Sequence, residues 1–155
     1  MKRPIAVLAV LVLAAAGLTG LTAIASSATS KPATVKTGTS SLGRIVVDGK
    51  SHTLYLFQKD KHGKSACSGA CAQNWPPLLT KGKPKAGTGA KSSLLGTTKR
   101  SDGTTQVTYN KHPLYTFIAD NNKPGSTKGE GIDAFGAKWY VVAAKGTAKT
   151  GSYGR

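Results

Sequence analysis

Carboxylates are scarce in this sequence, which holds six Asp and Glu residues against 22 Lys and Arg residues. A glycosidase needs a pair of carboxylates at its site. Few carboxylates are available here for such a pair, because Asp48 and Asp102 belong to Asp-Gly dipeptides that are typical of turns. The sequence also lacks Gly-x-Ser-x-Gly and Gly-x-x-x-x-Gly-Lys, which are hydrolase and phosphate-binding motifs. We therefore expect that the protein is not an enzyme and carries no cofactor.

Long apolar runs are missing except at the N-terminus, where residues 5–18 follow a Lys-Arg pair. The tripeptide Ala23–Ala25 then provides a small-x-small cleavage site, so we predict a signal peptide at 1–25. An uncleaved anchor is the alternative, because the run is close to the lower length limit for spanning a bilayer. No Cys near its end is available for lipidation. The protein is expected to be secreted or associated with the cell envelope.

Positive charge dominates the chain beyond the leader. Removal of the predicted signal peptide removes two basic residues, so the formal net charge of the mature protein is 20 − 6, or +14. Such an excess predicts attraction to an anionic cell-wall polymer or membrane surface, and solubility alone is the alternative role. A specific nucleic-acid function is not expected, because Lys dominates over Arg. The predicted polyanion-binding residues form two clusters that flank the cysteines: Lys59, Lys61 and Lys64, and then Lys81, Lys83 and Lys85.

Composition also predicts the boundaries of the folded part. Residues 26–41 are Ser, Thr, Ala, Lys, Pro and Gly with one Val, and we predict a flexible linker there. Residues 146–155 are predicted to be a flexible tail. Between them, residues 42–145 are expected to form one β domain of two repeats, at about 42–79 and 92–143.

An internal repeat supports this division. Residues 52–60 (HTLYLFQKD) match residues 112–120 (HPLYTFIAD) at five of nine positions. A Trp follows each copy, Trp75 in the first and Trp139 in the second. The same features in the same order predict two units of related topology.

Each unit is predicted to be β structure. Runs rich in β-branched and aromatic residues alternate with Asp-Gly and Asn-Lys turns. The predicted strands are 44–47, 53–57, 97–100, 104–109, 114–117 and 138–143, with one helical turn at 67–73. The predicted fold class is therefore all-β: a small antiparallel domain of two related repeats, preceded by a signal helix and a flexible tether.

The repeat carries a Tyr-x-Phe-x-x-Asp motif twice. Its residues are Tyr55, Phe57 and Asp60, and then Tyr115, Phe117 and Asp120. Alternate residues of a strand share a face, so the two aromatic pairs are expected to meet in a shared core, with their phenols on polar partners. Each Asp lies just beyond its strand, where a carboxylate accepts backbone N–H bonds and fixes a turn. A ligand site built twice from Tyr and Asp is the alternative.

These motifs carry a resemblance to a known family. They resemble a bacterial family of predicted lipoproteins named for a repeated Tyr-x-(Phe/Trp/Tyr)-x-x-Asp motif, also described as a secreted repeat of unknown function. Residues 64–78, with the Cys-x-x-x-Cys and Trp-Pro-Pro elements, look like the same family, and so do residues 102–109. The resemblance covers about residues 42–143 and implies export and an envelope location. It brings no known activity, so it assigns no catalytic residue.

The sequence has two cysteines, Cys67 and Cys71. In an exported protein, an even number of cysteines predicts a disulfide. A spacing of four on a helical turn puts both thiols on one face, within disulfide reach. The alternative is a redox or metal-handling role with copper or zinc, in which His62, His52 or His112 would add ligands. The sparse ligand set leads us to predict no metal site.

Overall fold

A computed structural model describes residues 31–149. The strands are β1 (Thr34–Ser40), β2 (Gly43–Asp48), β3 (Tyr55–Phe57), β4 (Lys85–Ala86), β5 (Leu95–Lys99), β6 (Thr105–Tyr109), β7 (His112–Pro113), β8 (Asp133–Ala134) and β9 (Ala137–Val141). One helix, α1, covers Ala70–Asn74, and 3-10 turns cover Ser92–Leu94 and Ile118–Asp120. The predicted signal peptide at 1–25 lies outside the described residues. Within them, no helix is long and apolar enough to cross a membrane.

The strands form three small sheets, with the orders β2-β1-β4, β3-β9-β8 and β5-β6-β7. Every pairing is antiparallel except that of β1 with β4, which is parallel. The predicted all-β class is therefore confirmed. The helical turn expected at 67–73 is present as α1, although it begins and ends slightly later.

The second sheet joins the two repeats. Strand β3 of the first repeat pairs with β9 of the second, and Phe57 lies opposite Trp139. The corresponding segment of the second repeat lies against the first repeat, where the backbone N–H of Thr116 donates to the carbonyl of Pro76 at 2.9 Å. Each motif segment therefore pairs with the Trp-containing segment of the other repeat.

The predicted linker at 26–41 is wrong over its second half. Residues 34–40 form β1, which pairs with β2 over six positions. Val35 is fully buried on this strand, while most of its polar residues are half-buried. The segment is ordered because β2 and β4 satisfy backbone groups along both of its edges. Residues 26–30 lie outside the described part.

The tail prediction and one strand prediction also need correction. In the predicted tail 146–155, the described residues pack on the second repeat: Ala148 bridges Val142, and the N–H of Lys149 donates to Val141. The strand expected at 114–117 is replaced by β7, followed by single bridges made by Tyr115. The chain turns into a 3-10 segment directly after Phe117, which leaves no room for a longer strand.

Strand β3 is buried on both of its faces. Tyr55 and Phe57 lie in one apolar cluster with the two tryptophans. Leu54 and Leu56 lie in a second cluster, on the opposite side. The alternation of a strand therefore builds two core layers from one short segment.

Four aromatic rings form a stacked column in the first layer. Phe57 stacks on Trp139 with ring centroids 4.1 Å apart, and Trp139 stacks on Trp75 at 4.0 Å. Phe117 stacks on the far side of Trp75, also at 4.0 Å. The order along the column is Phe, Trp, Trp, Phe, so each Phe of one repeat covers the Trp of the other. Such ring pairs contribute about 0.5–1.5 kcal/mol each beyond the area they bury.

Gly129 provides a direct test of how tightly this layer packs. A Cβ at this position would lie 2.7 Å from ring atoms of both Trp75 and Tyr55, and both rings are buried. We expect Gly129→Ala to lower the free energy of unfolding by about 2–3 kcal/mol, as measured by chemical denaturation. The matched control is Gly49→Ala, at an exposed site where the nearest atom is 3.3 Å away. Equal effects from both changes would contradict close packing over the rings.

Candidate functional site

The two copies of the motif bind each other through their Tyr and Asp residues. The hydroxyl of Tyr55 donates to Oδ2 of Asp120 at 2.6 Å. The hydroxyl of Tyr115 donates to Oδ2 of Asp60 at 2.8 Å. Both phenols are fully buried. The motif is therefore completed across the repeats, because the Tyr of each copy uses the carboxylate of the other.

The backbone repeats this exchange at the same place. The N–H of Tyr55 donates to the carbonyl of Tyr115 at 2.8 Å, and the N–H of Tyr115 donates back at 3.1 Å. This reciprocal pair is the hydrogen-bonded pair of an antiparallel bridge, so the two motif segments run in opposite directions where they meet. The side-chain exchange follows from it, because opposed strands place each phenol beside the turn that ends the other motif.

Each Asp also holds the loop that follows it. Oδ1 of Asp60 accepts the N–H of Ala66 at 2.7 Å. Oδ1 of Asp120 accepts the hydroxyl of Ser126 at 2.6 Å and the N–H of Lys128 at 3.0 Å. Each carboxylate therefore holds its own loop with Oδ1 and the Tyr hydroxyl of the other repeat with Oδ2.

A buried guanidinium from the second repeat extends the network around the loop of the first. Arg100 donates to Oγ of Ser65 at 2.9 Å, to Oε1 of Gln106 at 2.8 Å and to the carbonyl of Cys67 at 2.7 Å. Oγ of Ser65 lies 2.8 Å from the hydroxyl of Tyr115. Among the described residues, no buried side-chain nitrogen or oxygen atom lacks a hydrogen-bond partner. The network is thus saturated, which is the condition under which buried polar groups stabilise a core.

Burial shifts the protonation of these groups. Desolvation raises the pKa of Asp60 to about 6, while the hydrogen bonds from Ala66 and Tyr115 and the positive charge of Arg100 act in the opposite direction. Desolvation also raises the pKa of Tyr55 and of Tyr115, with the nearby carboxylates adding to the rise. Both phenols therefore stay protonated as hydrogen-bond donors at neutral pH.

Cys67 and Cys71 form the predicted disulfide, with their Cα atoms 5.3 Å apart. Both residues are buried beside Trp75 in the aromatic layer, so the bond closes the turn around α1 onto the core. Nδ1 of His52 lies 2.9 Å from Asp48, in a turn rather than beside the sulfur atoms. In the described part of the chain, no three His, Cys, Asp or Glu residues form a group that could hold a metal ion.

The two predicted lysine clusters are exposed and lie next to different sheets. The first, Lys59, Lys61 and Lys64, follows β3, and Nζ of Lys59 donates to the carbonyl of Phe135 in the turn between β8 and β9. The second, Lys81, Lys83 and Lys85, leads into β4, beside β1. Because both clusters flank the cysteine segment, the sequence also predicts that they share one face of the first repeat, and this stays a prediction.

Sequence reasoning missed several members of the site. Arg100, Ser65 and Ser126 stand outside the repeated motif, and nothing in their spacing marks them. For Arg100 there is one weak signal apart from the motif, namely the Asp102-Gly103 turn that follows it, because a carboxylate two residues away can orient a guanidinium. Nε of Arg100 does lie 3.4 Å from Asp102.

The reciprocal hydrogen bonds predict the cost of losing a phenol. Tyr55→Phe leaves buried Oδ2 of Asp120 without its donor, so we expect the free energy of unfolding to fall by about 1–3 kcal/mol. Tyr140→Phe is the matched control, since its hydroxyl has no hydrogen-bond partner among the described residues and its cost should be small. A double-mutant cycle of Tyr55→Phe with Asp120→Asn should show coupling, and additive effects would argue against the pair.

Asp60 predicts a pH dependence. Its folded pKa of about 6 lies above the ordinary Asp value, so its contribution to stability is fully present below about pH 4 and is lost as the pH rises through 6. Carboxyl-carbon NMR should report this titration. Tyr115→Phe removes a bond that favours the ionised form, so it should raise the pKa of Asp60 further. A pKa near 4 in the wild type would contradict this picture.

The family profile described as "Secreted repeat of unknown function" matches the chain twice, at residues 36–79 and 96–143. The two matched segments contain the two motifs, one in each repeat, and the first begins inside β1. No curated protein and no solved structure is similar enough to the chain to count as a match. The resemblance read from the motifs is therefore confirmed, with an extracytoplasmic location: the chain belongs to the secreted repeat family of unknown function.

Proposed function

We propose that the protein is a non-catalytic binding module that holds anionic polymers of the cell envelope on its lysine-rich surface. The observation that carries this proposal is the separation of charges between core and surface. Fifteen of the 17 lysines at residues 31–149 are exposed. The positive excess of the sequence is thus an excess at the surface, where it attracts polyanions.

Most carboxylates, in contrast, are engaged in hydrogen bonds that hold the fold. Asp60 and Asp120 accept the two buried phenols. Asp48 accepts backbone N–H groups in its own turn, and Glu130 accepts the N–H of Val141 at 2.7 Å. All six Asp and Glu residues of the sequence lie among the described residues, and only Asp102 and Asp133 of these are exposed. Few carboxylates on the protein's own surface are therefore available to form ion pairs with the exposed lysines.

The cationic groups are also of a kind that suits a flexible polymer. Of the two arginines between residues 31 and 149, Arg100 is buried and Arg44 donates to Thr37. The remaining cations are lysines, which bind as mobile point charges rather than as fixed planar forks. Many lysines on one small domain therefore suit the binding of a polymer with many negative charges. They suit the recognition of a single ligand of defined shape less well.

Retention on phosphocellulose tests this proposal. The wild type should be held at low ionic strength and released as added salt shortens the screening length from about 10 Å at 0.1 M to about 3 Å at 1 M. Changing three lysines to Ser should weaken retention and lower the log–log salt slope by up to about three units. The chosen residues are Lys81, Lys83 and Lys85.

A matched triple variant separates this cluster from net charge alone. It removes the same charge from exposed lysines elsewhere: Lys91, Lys99 and Lys145. If both triple variants lose retention equally, the assignment to the second cluster is wrong. If the wild type is not retained at low salt, or is retained regardless of salt, binding of anionic polymers is wrong altogether.

A further inference from the structure

An exposed aromatic side chain stands at the tip of the hairpin formed by β8 and β9. Phe135 is 41% exposed, and it is one of two large apolar residues exposed in the described part of the chain, with Ile118. Ala134 pairs with Ala137, so the hairpin loop consists of Phe135 and Gly136 alone. The ring is therefore carried on a short, well-defined turn.

The backbone of this turn does not favour a Phe. Phe135 has a φ of +58° and Gly136 a φ of +89°. A two-residue hairpin turn with both φ values positive is the type that strongly prefers Asn-Gly or Gly-Gly. A bulky side chain crowds the backbone in this region, and such residues are uncommon there. Because the ring is exposed rather than packed in the core, neither the turn nor the core explains its presence.

Lysines lie close to the tip. Nζ of Lys59 donates to the carbonyl of Phe135 at 3.3 Å. Lys138 is exposed on β9, and Asp133, its cross-strand partner, is the one acidic residue of the hairpin. Lys61 belongs to the same exposed cluster as Lys59. An apolar ring thus projects from a cationic surface that has little negative charge of its own.

We infer that the tip of the β8–β9 hairpin is a membrane-contact element, which inserts Phe135 among the head groups of an anionic phospholipid bilayer. Lys59 and Lys138 then contact the lipid phosphates, while the ring enters the boundary between head groups and acyl chains. An aromatic ring combined with basic residues is the arrangement by which peripheral proteins bind such surfaces. This inference rests on the proposed binding of anionic polymers by the exposed lysines, and it extends that binding to an anionic lipid surface.

The test is partition of the exported protein onto vesicles of phosphatidylcholine mixed with phosphatidylglycerol. Phe135→Asn removes the ring and supplies the Asn-Gly pair that the turn prefers, so the fold should be at least as stable as in the wild type. We expect the partition coefficient to fall roughly five- to tenfold. The matched control is Ile118→Asn, which removes the other exposed apolar side chain and should leave partition unchanged. A Phe135→Trp variant should bind like the wild type, and brominated lipid should quench its added fluorescence.

The outcomes separate this inference from the proposed function. Phe135→Asn should be retained on phosphocellulose like the wild type, because the ring is not needed for a soluble polyanion. Equal loss on both supports would overturn the membrane role of Phe135. Absence of vesicle binding by the wild type, unchanged partition of Phe135→Asn or equal loss in Ile118→Asn would also overturn it. In the first of these cases, salt-dependent retention on phosphocellulose would still support the binding of anionic polymers.

Discussion

The structure depends on one reciprocal constraint: each buried phenol of the motif must reach a carboxylate that belongs to the other repeat. Tyr55 and Tyr115 lie opposite each other with two backbone hydrogen bonds between them. Their hydroxyls donate to Asp120 and Asp60, and each of these carboxylates ends the motif of the other repeat. The five-residue spacing from Tyr to Asp places the Asp of each motif within hydrogen-bond distance of the Tyr hydroxyl in the other motif. The Phe between them lies on the same face of the strand as the Tyr and joins the aromatic column.

This constraint explains why the family unit is found here as a pair. One repeat alone has a phenol without a carboxylate, a carboxylate without a phenol, and a Trp without the Phe that covers it. A buried phenol or carboxylate left without its partner costs about 1–3 kcal/mol, so a single repeat is less stable than the pair. Strand β3 pairs with β9 from the other repeat, so the sheet is also incomplete in a single unit. The two repeats are therefore best regarded as one folding unit.

Sequence patterns predicted the parts of the fold that depend on local order. Alternation in residues 54–57 indicated which side chains share a face, and the cysteine spacing together with export predicted the disulfide. The same patterns could not show that Tyr55 meets Asp120, because periodicity gives the face of a strand and not its partner. Composition alone predicts a linker where strand β1 forms, because its Ser, Thr and Lys residues resemble a tether while its order comes from pairing on both edges. Arg100 was missed for the related reason that its partners come from distant segments.

The repeats match closely in the core and differ in the loops that follow each Asp. In the first repeat, the loop is closed by the disulfide and by Arg100, which binds the carbonyl of Cys67. In the second repeat, Ser126 and the backbone hold the loop on Asp120, and Gly129 lies against the rings. The core residues that the repeats share are needed to pair the two repeats with each other. They therefore indicate little about the function that is specific to this chain. Loops on a rigid scaffold are free to diverge toward binding, and the loop of the second repeat leads directly into the hairpin that carries Phe135.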